Sequence, residues 1–426
     1  MAVTPLAATQ PTGVRYRVLA LGFLMSMITY LDRVCISAAA PSMMADLRLS
    51  DFEMAYAFSA FALAYGLFEV PMGWLGDRYG QKRLLLRIVV CWSVFTGLTG
   101  AVRGLPSLLA VRFVFGSAEA GAFPTLARAL GRWFPTGERG TVNGTMWMGA
   151  RLGGAMAPAI AVALIGWIGW RATFPVFGVL GLVWSIAFWR WYRDDPASHP
   201  AVNAAELARI RHGMPAPRQR PAQPWKAILT SGNAWALFGM YFAASFGFYF
   251  FVTWLPTYLM RDHGLSLVRS GFYSVLPLGA AAAGCLTGGA LSDWLVRKTG
   301  SVRKGRATVG VAGFLLGALG FAAASTATGP LAAVIWLALA QAALDLTVGV
   351  SWATCVDVGG SLGGTLAGFM NTASSLAAVL LPLVAAGLQQ HFGSYRAVFA
   401  VAAAVYLAGG LLWLKIDPNR RLDLVA

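Results

Sequence analysis

The sequence predicts an all-α membrane protein with twelve transmembrane helices, arranged as two parallel six-helix bundles. Three observations predict it: the apolar content, the distribution of basic residues and an internal repeat. Hydrophobic residues make up 58% of the 426 residues and charged residues 12%, whereas a soluble domain has about 25% charged residues. The apolar runs have the ~20-residue length that a helix needs to cross a bilayer and are too long for the alternating strands of a barrel.

Twelve apolar segments divide the chain into two groups of six. The longest polar stretch, 192–230, separates residues 1–191 from residues 231–426, and we expect it to be a cytoplasmic linker with a short helix near 206–212. The first segment is too long for a signal peptide, so we expect an uncleaved span. The predicted spans are 17–40, 52–75, 83–102, 105–130, 139–166, 171–191, 232–260, 267–295, 306–327, 329–356, 362–390 and 394–416.

The basic residues predict the orientation. If both termini are cytoplasmic, and residues toward the span ends are counted with the adjoining loop, 24 of the 33 Lys and Arg residues belong to inner loops and tails, 6 to outer loops and 3 to the interior of spans. This bias is the one expected of a multi-pass protein of the inner (plasma) membrane, and it explains the net charge of +16 without a nucleic-acid partner. The four cysteines have no metal-ligand spacing, and no Gly-Lys dipeptide is available for an ATP-binding loop. We therefore expect no metal, no cofactor, and a monomer.

The two groups of spans contain similar motifs. Gly140-Thr141 recurs 224 positions later as Gly364-Thr365, and the run from Gly73 to Asp77 recurs at Gly289 to Asp293. Because six spans separate the copies, the halves have the same orientation. Parallel repeats with a binding site near the bilayer midplane are one plan on which transporters are built.

Two motifs carry a family resemblance. The run Gly73-Trp-Leu-Gly-Asp77-Arg78-Tyr-Gly80-Gln-Lys82-Arg83 resembles the signature loop of the major facilitator superfamily. Tyr30-Leu-Asp32-Arg33 in span 1, and the segment from Arg112 to Pro124 in span 4, are similar to the anion:cation symporter family, which includes carriers of galactonate, glucarate and hexuronates. The resemblance implies proton-coupled symport of a small organic anion, such as a sugar acid, by alternating access. An anion exchanger or facilitator with structural acids is the alternative.

Three arginines lie deep inside predicted spans, away from the span ends: Arg33, Arg112 and Arg151. A charged side chain at the bilayer centre costs about 2.5–3.5 kcal/mol on insertion scales, so such residues face a partner or a cavity. We expect all three to contact the anion, with Arg33 clamping its carboxylate. The alternative for Arg33 is a structural charge network. Arg151 has two interpretations: an extra cation that suits a dicarboxylate, or a partner that neutralises Asp32 or Glu119.

Two acids are candidates for proton coupling. Arg112 and Glu119 are seven residues apart on span 4, which places them on one face of a helix about 10 Å apart. The family resemblance implies that Glu119 is the main protonation site, that Asp32 also titrates and that Arg112 couples Glu119 to the anion. A purely conformational salt bridge is the alternative.

Other residues complete the expected site and gate. Tyr65 matches a substrate-contacting tyrosine of the family, and Asn371 and its repeat mate Trp147 lie halfway along their spans, where they are expected to contact the substrate. Asp345 is expected to be a second titrating site or the partner of an N-half arginine, and Glu69 to belong to the inner gate. The superfamily resemblance implies that Asp77 joins the halves through a helix N-terminus, with the other gating residues Arg78, Arg83 and Asp293.

Overall fold

The computed structural model describes residues 10–214 and 224–422. Within these ranges the chain forms fifteen α-helices, three single 3-10 turns and no strand. The helices are α1 Val14–Leu47, α2 Asp51–Tyr79, α3 Gln81–Thr99, α4 Leu105–Glu119, α5 Ala122–Trp133, α6 Arg139–Trp191, α7 Ala204–Arg211, α8 Pro224–Leu229, α9 Gly232–Thr253, α10 Leu255–Arg261, α11 Leu267–Thr299, α12 Val302–Thr326, α13 Pro330–Gly359, α14 Gly363–Phe392 and α15 Arg396–Lys415.

These helices make up the twelve predicted spans. Eight segments of the described chain are long and apolar enough to cross a membrane, and two of them, Thr136–Trp191 and Pro330–Phe392, are each long enough for two spans. The remaining two spans are α3 and the pair α4–α5. The chain is therefore a multi-pass helical membrane protein.

Four details differ from the predicted boundaries. Spans 5 and 6, both within α6, are two helices that meet without a loop at Gly169, whose non-helical φ of 75° lies in the region that glycine tolerates best. Span 4 is interrupted at Ala120–Gly121, between α4 and α5, and span 7 is interrupted at Trp254, before Pro256. Helix α1 continues through Pro41 to Leu47, beyond the predicted end at residue 40. The short linker helix is Ala204–Arg211, and linker residues 215–223 lie outside the described residues.

The repeat explains how the two halves meet. We call α1–α6 the N half and α9–α15 the C half. Helix α2 packs on α14, and α6 packs on α11. A Cβ atom added to Gly73 would meet the backbone carbonyl of Gly364, and one added to Gly289 would meet that of Gly140. The same repeated glycines therefore let two pairs of helices approach with their backbones almost in contact.

One end of the bundle, which we call the basic face, carries the linker and the described ends of the chain. There the carboxylate of Glu206 on α7 is fully buried. It accepts hydrogen bonds from the backbone N–H groups of Gly13 and Arg15, and Nη1 of Arg15 donates to it at 2.9 Å. Glu206 thus satisfies free N–H groups at the start of α1 and holds the linker helix under the N half.

Candidate functional site

An arginine–glutamate pair lies in the middle of the N half. Nε and Nη2 of Arg33 donate to Oε1 of Glu119 at 3.1 and 2.6 Å. Glu119 is 1% exposed, whereas the Arg33 side chain is 23% exposed although it lies mid-way along α1. The guanidinium also packs against the rings of Tyr30, Phe61 and Tyr65, at 5.2, 5.2 and 4.6 Å from their centroids. Arg33 is therefore a cation held in place by aromatic rings and accessible from one side.

Arg112 has a different environment. It is buried, and its guanidinium lies 4.7 Å from the ring centroid of Phe61 and 5.0 Å from that of Phe115. Within the described residues it forms no hydrogen bond or ion pair. The resemblance implies that Arg112 couples Glu119 to the anion. In the structure Glu119 is hydrogen-bonded to Arg33, and Arg112 lies within electrostatic reach of Glu119 without a direct bond. Among the described residues Arg112 is thus a buried cation without a hydrogen-bonded carboxylate, which is unfavourable unless an anion is nearby.

Asp32 points away from its neighbour Arg33. Its side chain is buried and lies against Trp92 and Thr96 of α3. Neither carboxyl oxygen has a hydrogen bond of normal geometry within the described residues. The two adjacent charged residues of α1 therefore contact different helices, as expected from their angular separation of about 100° on a helix.

The third span arginine, Arg151, joins the two halves. Its Nε and Nη2 donate to Oδ1 of Asp345 on α13 at 3.1 and 2.9 Å. Asp345 is fully buried and also accepts from Cys285 Sγ at 3.2 Å and from Gln341 Nε2. Of the two interpretations of Arg151, the one in which it neutralises Asp32 or Glu119 is not seen, because the C half supplies its carboxylate partner. The contact agrees with the expectation that Asp345 pairs with an arginine of the N half.

A second polar contact joins the halves at Glu69. This buried carboxylate accepts from the side-chain amide of Asn371, and Ser375 Oγ lies 3.5 Å from its other oxygen. The amide of Asn371, expected to contact substrate, is therefore engaged by Glu69. Glu69 is eight residues, about 12 Å, from Asp77 along α2. It belongs to the layer of Tyr65 and Arg33 as well as to the interface between the halves.

Trp147 belongs to an aromatic layer that crosses between the halves. Its ring stacks on Phe123, with centroids 4.6 Å apart, and lies 5.4 Å from that of Trp352. Trp352 Nε1 in turn donates to the hydroxyl of Tyr241 at 2.9 Å. Trp147 is only 6% exposed, with Arg151 5.8 Å from its ring centroid. It is expected to act on a ligand by supporting Arg151, not by offering an open surface.

Two aspartates join the halves at the basic face in matching ways. Asp77 accepts hydrogen bonds from the backbone N–H groups of Gly364 and Thr365, at 3.1 and 2.7 Å, at the start of α14. Asp293 accepts from the N–H groups of Gly140 and Thr141, at 3.0 and 2.6 Å, at the start of α6. Helix N-termini stabilise carboxylates in this position. The sequence repeat is therefore also a repeat of contacts.

Several residues of this closed face were not predicted from the sequence. Arg128 lies 3.5 Å from Asp77, Arg306 2.6 Å from Asp293, and Arg139 2.5 Å from Asp357. They were missed because each lies near the end of an apolar run, where the sequence does not distinguish a buried charge from an exposed loop residue. Arg78 and Arg83, which we expected to take part in gating, are exposed, and the structure brings neither of them to Asp77.

Among the residues whose side chains the structure describes, the hydrogen bonds between the halves lie in the middle layer and at the basic face. A recess of about 1120 Å³ opens on the basic face, lined by Arg128, Arg139 and Asp357 among others. The ion pairs of that face separate it from Arg33. The site around Arg33 is therefore closed toward the basic face. No described cluster of three or more His, Cys, Asp or Glu residues is placed to hold a metal ion.

Comparison with known proteins identifies the class of protein. The family model of the Major Facilitator Superfamily matches residues 22–382. A probable sulfoacetate transporter from Cupriavidus necator is 36% identical over 412 residues, covering 96% of this chain and 95% of the relative. A D-galactonate transporter from Escherichia coli is 30% identical, covering 97% of each chain. The proton:xylose symporter XylE has a TM-score of 0.76 at 14% identity, covering 95% of this chain and 96% of its own, which shows the shared fold.

The chain is thus a membrane transporter and not an enzyme, and it belongs to the major facilitator superfamily. Within that superfamily its relatives place it in the organic-anion branch. A further relative of this group is a hexuronate transporter from Bacillus subtilis. It is 31% identical over 400 residues, which cover 92% of each chain.

Proposed function

We propose that the protein is a proton-coupled symporter that takes up a small organic anion. The observation that carries the proposal is the bond between Arg33 and Glu119. An incoming carboxylate needs the guanidinium that Glu119 occupies, because both are acceptors for the same N–H groups. When the anion takes Arg33, Glu119 is left buried without its counter-charge, and a proton neutralises it. Anion and proton are therefore bound together, which is the requirement for symport.

Arg112 and Asp32 support this exchange. Among the described residues Arg112 has no hydrogen-bonded partner, and it lies within electrostatic reach of Glu119. It favours a negative charge in the site, whether on Glu119 or on the anion. Asp32 has no ion-pair partner in the described part of the chain and also lies within electrostatic reach of Glu119. It is suited to hold a second proton or to pass one to Glu119.

The orientation follows from the basic residues. We place the basic face and both termini in the cytoplasm, by the positive-inside rule. The contacts of Asp77 and Asp293 then close the cytoplasmic side, and the partly exposed Arg33 faces the outside. Transport requires these contacts to separate as the halves rock about the central site. The recess at Arg128 and Arg139 becomes the exit.

The relatives support a small organic acid as the substrate. Those compared are described as transporters of sulfoacetate, galactonate, hexuronate and, in Bacillus subtilis, galactarate or glucarate. All are anions with a carboxylate and further polar groups. We propose a sugar acid or a related short acid as the cargo, carried across the inner membrane by a monomer.

A two-part experiment tests this function. Thermal-shift measurements on the purified protein against sugar acids, mono- and dicarboxylates and sulfoacetate select the ligand. Uptake of that ligand into proteoliposomes is then measured with and without an inward proton gradient. Accumulation driven by the gradient supports symport. Uptake stimulated by internal substrate and indifferent to the gradient would support the exchanger instead.

A further inference from the structure

Arg151 and Asp345 form an ion pair that joins the two halves at the depth of the middle layer. Both side chains are nearly or fully buried, at 9% and 0% exposed. Any rocking of the halves changes the distance between α6 and α13. The ion pair must therefore either break or resist this movement in every transport cycle.

Asp345 has hydrogen-bond donors other than Arg151. Its Oδ1 also accepts from Cys285 Sγ and its other oxygen from Gln341 Nε2, and both donors belong to the C half. These hydrogen bonds move with Asp345 when the halves separate, and they compensate part of the cost of leaving a buried carboxylate without its cation. Glu119 has no such reserve, because its second oxygen is without a hydrogen bond in the described part of the chain.

Arg151 also has contacts other than Asp345, with aromatic rings. Its guanidinium lies 4.2 Å from the ring centroid of Phe248 and 5.8 Å from that of Trp147. Aromatic faces stabilise a cation and hold its plane in place. The arginine therefore remains positioned for an acceptor other than Asp345.

Tyr30 links Arg151 to the first cation of the site. Its ring centroid is 5.2 Å from the Arg33 guanidinium, and the tyrosine is within electrostatic reach of Arg151. A Cβ atom on Gly154, one turn along α6 from Arg151, would be 3.2 Å from the Tyr30 ring. Arg33 and Arg151 thus flank one tyrosine, each bonded to one carboxylate.

We propose that Arg151 binds the second acidic group of a dianionic substrate, and that the substrate takes Arg151 from Asp345. This inference rests on the proposed function and specifies its substrate class: a short acid with a negative group at each end. One end displaces Glu119 from Arg33, and the other displaces Asp345 from Arg151. The second exchange cuts an ion pair between the halves. A monoanion reaches only Arg33 and leaves that pair intact, so it binds more weakly and is moved more slowly.

The test compares acids of equal size that differ by one charge. Malonate, succinate and glutarate are matched with their monoamides, and binding is measured as competition against the transported anion. For the dianion that binds most tightly of the three, we expect the wild-type affinity to exceed that for its monoamide by about tenfold. This is the effect of one additional charge-assisted contact of ~1.4 kcal/mol. Arg151→Gln should abolish this preference by weakening the dianion alone. Arg151→Lys should retain part of it.

Asp345→Asn is the matched variant, because it removes the competing carboxylate and leaves the cation. It should keep or strengthen dianion binding and accelerate transport of the monoamide. The inference is overturned if the wild type shows no preference for dianions, if Arg151→Gln leaves the preference unchanged, or if Asp345→Asn weakens dianion binding as Arg151→Gln does. If Arg151→Gln is not recovered folded, the Asp345→Asn result decides alone. Proton coupling is measured separately by gradient-driven uptake, so its failure is distinguishable from failure of this inference.

Discussion

Arg33 on α1 donates two hydrogen bonds to one oxygen of Glu119 on α4, the shorter at 2.6 Å. Under the proposed function, a substrate carboxylate competes with Glu119 for the guanidinium of Arg33. A proton on Glu119 then favours binding of the anion.

The first prediction concerns the pH dependence of anion binding. Binding leaves Glu119 protonated, so the protein takes up a proton with the anion, and the affinity should rise as the pH falls. In Glu119→Gln the competitor cannot ionise, so affinity should be high and nearly independent of pH. Calorimetric titration across a pH series measures both proteins. Equal pH dependence in the variant and the wild type would contradict the competition.

The second prediction concerns the closed basic face. Asp77→Asn removes a charge from the N-terminus of α14, an interaction of about 1 kcal/mol or more, and should shift the population several-fold toward the state open at that face. Cys355 on α13 is fully buried and within electrostatic reach of Asp77. Its labelling by a maleimide, located by mass spectrometry, should therefore become faster.

Asp417→Asn is the control for this measurement, because Asp417 pairs only with C-half arginines, Arg303 and Arg420, among the described residues. Its Cys355 labelling should match the wild type. Unchanged labelling in Asp77→Asn would show that this aspartate does not hold the face closed.

The third prediction concerns the close approach of α2 and α14. A methyl group at Gly73 would collide with the backbone carbonyl of Gly364, and backbone atoms cannot yield as a flexible side chain does. Gly73→Ala should lower the melting temperature or favour the state in which the halves separate at this face. Gly387→Ala, on α14 with no atom near the added methyl, is the control. Equal melting temperatures and equal Cys355 labelling in the two variants would disprove the role of this contact.

The fourth prediction concerns the linker. Glu206→Gln removes the charge from a buried carboxylate bound to Arg15, a change that typically costs about 3 kcal/mol when a buried ion pair is broken. Helix α7 should detach more often, so trypsin should cut faster at Arg209 and Arg211. Glu53→Gln, which weakens an exposed capping box at the start of α2, provides the comparison. Similar digestion rates in both variants would mean that Glu206 does not anchor the linker.

The spans and the relation of the halves could be predicted because they depend on patterns within the sequence. Long apolar runs must cross the bilayer, and the repeated glycines mark the helices that touch. The interruptions at Ala120–Gly121 and Trp254 could not be predicted, because tertiary packing decides whether such residues bend a helix or end it. Gly169, whose backbone is not helical, likewise separates the helices of spans 5 and 6 within one short predicted connection.

The buried charges of the middle layer could be predicted as a set, whereas most of their pairings could not. Arg33, Arg151 and Glu119 stand out because charges inside apolar runs must face the interior. Which arginine meets which acid depends on helix rotation and on the neighbouring helices. The sequence left two interpretations open for Arg151 and two for Asp345, one of them a pair with an N-half arginine. It did not predict the bond between Arg33 and Glu119. Arg306 shows the converse: it was counted as a loop charge, yet it is fully buried against Asp293.

Gradient-driven uptake by Glu119→Gln in proteoliposomes tests the proposed coupling most directly. We predict that this variant loses accumulation driven by an inward proton gradient while it still exchanges labelled for unlabelled anion, because the anion site remains and the proton site is gone. Wild-type protein should do both. Gradient-driven accumulation by Glu119→Gln at the wild-type level would contradict the proposal.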